Sequence, residues 1–77
     1  MSIDVIAYHT RLPRCMILEQ IVALSQKYAA NADDISEVAA KGVLAGRMWP
    51  EVAEVMAGKL AKGVLPIDIM MNLYRKT

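Results

Sequence analysis

Apolar residues recur along the chain at three- and four-residue intervals, broken by Pro, Gly and Asn at spacings that suit short helices. Residues 12–30 predict the first long helix, with Pro13 in its first turn, where a missing N–H is harmless. At about 100° per residue, Ile17, Ile21, Leu24 and Tyr28 share a narrow arc flanked by Leu18, Val22 and Ala29. Glu19, Gln20, Gln26 and Lys27 take the other side, and Met16 falls among them. Asn31 suits a left-handed stop.

Asp34-Ile35-Ser36-Glu37 matches a capping box, so a second helix is expected over residues 34–45 with Gly46 as its stop. Ile35, Val38, Ala39 and Gly42 would face inward, and these mostly small residues favour close helix approach. Leu44 falls near the Glu37–Lys41 pair on the solvent side. Trp49-Pro50-Glu51 opens a helix over residues 50–62, stopped by Gly63, with Val52, Val55, Met56 and Leu60 inward. Ala53, Ala57 and Ala61 form a smooth ridge beside that stripe.

Pro66 begins a last helix over residues 66–75. Ile67, Met70, Met71 and Tyr74 form one face, and Ile69 with Leu73 forms a second on the far side. A terminal helix apolar on both faces needs a central position or a partner. Residues 2–9 read as a short helix with Ile3, Ile6 and Ala7 inward, although Ile3, Val5 and Ala7 also alternate as in a strand. The pentapeptide Ala-Lys-Gly-Val-Leu occurs at residues 40–44 and again at 61–65. The first copy falls within a helix and the second across a helix end, so the match is read as coincidence rather than a structural repeat.

Strand signals are poor: Phe is absent, no Asn-Gly or Asp-Gly turn occurs, and Ala, Leu and Met dominate. The expected fold is all-α, a single domain over residues 1–77 built as a compact bundle of four or five short helices. The 77 residues are 56% hydrophobic and 22% charged. A chain this short buries only about 60% of its extended-chain surface, so it is expected to keep apolar side chains outside and to form a homodimer.

Candidate chemistry is sparse. Cys15 is the only thiol and His9 the only imidazole, which excludes an internal disulfide and offers no metal-ligand spacing. The four glycines are scattered rather than massed into a phosphate loop. No cofactor, metal or catalytic residue is expected, and the chain is read as non-enzymatic. Glu19 and Gln20 interrupt the apolar run that would make residues 15–24 an export signal. No run of roughly 18 apolar residues offers a membrane span. The cytoplasm is the expected compartment.

Two function classes survive. In the first, a small binding protein docks on another macromolecule as an adaptor or inhibitor does, a size and style that fit bacterial or phage regulators. Six methionines supply adaptable contact surface. Met16, Leu44, Ile69 and Leu73 fall off the inward stripes, and Trp49 is either a cap on the core or an interface anchor. Those five are the candidate interface, with Ile69 and Leu73 as the two-fold contact. In the second class, a dimeric helix-turn-helix-like regulator binds DNA. Net charge is only +1, but residues 33–54 sum to −3 and residues 55–77 to +3. Lys59, Lys62, Arg75 and Lys76 are the candidate nucleic-acid contacts. Pro66-Ile67-Asp68 offers no side chain suited to reading base edges, which places DNA second to a protein partner.

Overall fold

The computed structural model of the chain is an all-helical bundle, described here over residues 2–69. Four helices follow in order: α1 (Ile3–Thr10), α2 (Arg14–Tyr28), α3 (Ala32–Leu44) and α4 (Trp49–Ala61). A fifth, α5, starts at Pro66 and is described through residue 69. The radius of gyration is 11.0 Å, close to the roughly 11.5 Å of a compact chain this long. No helix among the described residues is long and apolar enough to cross a membrane.

The packing is organised around α3, which touches α1, α2 and α4. Ile35, Val38, Ala39 and Gly42 are buried as their spacing predicts, but Ser36, Ala40 and Val43 are buried too. The covered arc is therefore roughly 200° rather than a single stripe. Small side chains at Ser36, Ala39, Ala40 and Gly42 let several helices approach one axis. Ser36 satisfies its buried hydroxyl by donating to the Asp33 carbonyl at 2.9 Å. Around this axis sit Ile3 and Ile6 of α1, Ile17 and Ile21 of α2, and Val52, Met56 and Leu60 of α4. The N-terminal segment is thus helical rather than a strand, with α1 starting at Ile3 after Ser2 and ending at Thr10.

Helix ends depart from the sequence reading in three places, the first being the start of α2, which opens at Arg14 with Pro13 as its N-cap residue rather than in its first turn. Asn31 is not the stop of α2 but the N-cap of α3, its side chain accepting from the Asp34 N–H at 3.0 Å. Asp34 therefore lies inside the helix and makes no capping box with Glu37. Ala32 and Asp33 tolerate helix well enough for α3 to extend back to the first available Asn. The stop of α2 is Ala29 in the left-handed region at φ 54°, where Ala30 N–H reaches the Ser25 carbonyl at 3.1 Å.

The glycine stops behave as their positions suggest. Gly46 has φ +94°, and Arg47 N–H bonds the Gly42 carbonyl while Gly46 N–H bonds that of Val43. Gly63 has φ +80°, with the same pair of bonds from Val64 to Lys59 and from Gly63 to Leu60. Both are Schellman terminations. The two Ala-Lys-Gly-Val-Leu copies consequently differ in role, one within α3 and one across the end of α4.

Ile35→Ala is expected to cost about 2–5 kcal/mol in denaturant unfolding, and Leu44→Ala less than about 0.5 kcal/mol. Ala29→Gly relieves a side chain from the left-handed region. It should raise stability by up to about 1 kcal/mol in the same measurement.

Candidate functional site

Three helix ends converge on one side of the bundle and leave an open groove of about 450 Å³. Its lining runs from His9 and Thr10 through Leu12 to Val43, Gly46 and the 47–50 segment. The local sequence explains each wall. Thr10 closes α1 by donating its hydroxyl to the Ile6 carbonyl at 2.7 Å and accepting from the Leu12 N–H at 3.3 Å. Arg11 takes a left-handed conformation at φ 60°, which turns the chain and brings Leu12 against the core. On the far wall, the Gly46 termination reverses α3 into α4 within a few residues.

The second wall is braced by polar bonds. Arg47 Nη1 pairs with Glu51 Oε2 at 2.6 Å, one helical turn apart. Trp49 is 5% exposed, and its Nε1–H donates to Gln20 Oε1 at 2.8 Å, joining the start of α4 to the middle of α2. Its ring is therefore a fixed wall of the groove. Met48, between these two anchored residues, is 72% exposed and stands at the N-cap of α4 with no capping hydrogen bond. A Ser, Thr, Asp or Asn there would stabilise the helix by about 1 kcal/mol.

The five residues expected at an interface have separate fates. Leu44 is 57% exposed. Trp49 is a core residue that borders the groove rather than a free anchor. Met16 is half-buried and packs on the core. The side of α2 it shares with Gln20 is the side that α4 reaches through Trp49. Ile69 is fully buried while Ile67 is 65% exposed, so the two faces assigned to α5 are exchanged over its first turn. The two-fold contact expected at Ile69 thus has no exposed side chain there. Leu73 lies outside the described residues.

Of the candidate nucleic-acid contacts, Lys59 is half-buried and Lys62 exposed, while Arg75 and Lys76 lie outside the described residues. His9 sits edge-on to Tyr8 with ring centroids 5.3 Å apart, and Cys15 is exposed on α2. Among the described residues, no group of three His, Cys, Asp or Glu side chains is placed to hold a metal ion. The alanine ridge borders a second furrow between α2 and α4, lined by Ala23, Leu24, Ala53 and Ala57.

Sequence reasoning passed over Met48, Tyr8, Leu65 and Ile67 as surface residues, all of them well exposed. Met48 carried a usable signal, since it lies in the short connection between a glycine stop and a proline start. Connections run over the surface. Leu65 carried the same signal on the far side of Gly63.

Gln20→Ala removes the partner of a buried indole N–H and should cost about 1–3 kcal/mol in unfolding free energy. In the same variant, Trp49 fluorescence should shift because the start of α4 loses its tie to α2. An unchanged spectrum and stability would mean that the bond does not brace the groove.

A comparison with protein-family models, curated proteins and solved structures finds no significant match for the chain.

Proposed function

We propose that the protein is a non-enzymatic helical binding protein that works by protein–protein contact, as an adaptor or inhibitor does. Its docking face is the groove between the end of α1 and the α3–α4 turn. The observation that carries this reading is the placement of Met48: a highly exposed methionine at the mouth of a groove whose walls include Leu12, Val43, Trp49 and Pro50. Fully burying a side chain of this size is worth roughly 1.5–3 kcal/mol, and Leu44 at the end of α3 adds a second exposed apolar side chain. His9, Thr10 and Arg47 place polar groups around this apolar patch, the composition of an interface core with a wet rim.

The DNA-binding alternative has less support. The exposed residues in the first turn of α5 are Ile67 and Asp68, an aliphatic and an acid where a reading helix presents donors to bases and phosphates. An exposed single thiol, Cys15, suits a reducing compartment, and we place the protein in the cytoplasm on that ground.

A photoreactive residue at position 48, introduced in the native cell, should trap a partner protein, whereas one at Ala61 should not. Met48→Asp should weaken that partner's binding about tenfold or more while raising fold stability by about 0.5–1 kcal/mol through capping of α4. Equal trapping at both positions, or unimpaired binding by the variant, would overturn the reading.

A further inference from the structure

We infer that the groove accepts a second copy of this chain, head to tail, through the Leu65-Pro66-Ile67 segment at the opposite end of α3. The inference rests on the docking reading of the groove and names its occupant. Leu65 and Ile67 are 64% and 65% exposed, on either side of a buried Pro66. The segment is held in shape on both flanks. Val64 N–H is bound to the Lys59 carbonyl at 3.1 Å, and the Leu65 carbonyl accepts from Asp68 at 3.0 Å and Ile69 at 3.2 Å. A preformed projection with two apolar side chains loses little conformational freedom on docking.

The charges at the two ends are opposite. Ile67 shares a depression with Asp34, Glu37 and Val38, and Asp34 also lines the hollow beside Leu65 and Pro66. Neither lining contains a basic residue. The groove lining contains His9 and Arg47, and the adjoining depression is formed by Tyr8, His9 and Arg11. Neither of these contains an acid, although Glu51 beside the groove holds Arg47. Docking the acidic, apolar projection of one molecule into the apolar groove of another therefore brings Asp34 and Glu37 towards the side of that groove where Arg11 stands.

The projection cannot fill the groove of its own molecule. Asp34 lies in the first turn of α3 and Val43 in the last, about 14 Å apart along the helix axis. Each copy carries one projection and one groove, so the contacts either close reciprocally as a two-fold pair or propagate into a ring or a filament.

Sedimentation of the full chain up to millimolar concentration tests this, using three species. The wild type should form assemblies of two copies or more. A double variant, Leu65→Lys with Ile67→Lys, loses the projection, and Met48→Glu spoils the groove; each alone should assemble only at about tenfold or higher concentration. All three substituted side chains are mostly exposed, so far-UV circular dichroism should show unchanged helicity. Mixing the two variants leaves one intact projection and one intact groove. The mixture should therefore form pairs and nothing larger. A monomeric wild type or mixed variants that stay apart would each overturn the inference. If the chain stays monomeric while position 48 still traps another protein, the groove is a docking site for that protein and the self-docking inference alone falls.

Discussion

One helix with small side chains on its buried faces makes the rest of the architecture possible. Ala39, Ala40, Gly42 and Ser36 reduce the radius of α3, so α1, α2 and α4 can all lie against it. Each neighbour then contributes a few large residues, such as Ile6, Ile17, Ile21 and Met56, to a single shared core. A bulkier α3 would hold two of these neighbours apart. Among the described residues no second core exists to compensate.

The same arrangement decides where apolar surface is left over. Because the apolar arc of α3 is covered by its neighbours, four of the large apolar side chains left exposed lie towards its two ends, where helices stop and reverse. At one end the Gly46 termination exposes Leu44 and Met48 beside the groove. At the other, the Gly63 termination and Pro66 leave Leu65 and Ile67 outside. Met48 and Leu65 lie in short connections, and Leu44 and Ile67 in the helix ends beside them, so their exposure follows from where the helices stop. Rigid apolar side chains at the surface are costly in water and useful in an interface.

Much of the fold was legible because helical periodicity and helix punctuation agree in the middle of the chain. Ile35, Val38, Ala39 and Gly42 lie at helical spacing, and Gly46 and Gly63 stand where a stop is needed. Legibility failed where two residues competed for one role. Asn31 and Asp34 are both good N-caps, and the choice fell to the earlier one because Ala32 and Asp33 can join the helix. Ala29 gave no warning of a left-handed stop, since nothing in its chemistry favours that conformation. In α5 both faces are aliphatic, so periodicity alone could not tell Ile67 from Ile69. The approach of α4 to α2, through Trp49 and Gln20, decided the partial burial of Met16. The site was legible only in part: Leu44 and Trp49 stood out, but Met48 itself did not, because exposure depends on how α3 and α4 meet.

Hydrogen exchange of individual backbone amides tests the organising role of α3 most directly. Amides of residues 35–43 should be the slowest in the molecule and should exchange only through global unfolding, with protection that matches the unfolding free energy. Faster exchange there than in α2 or α4, through local opening at a lower free energy, would contradict the account.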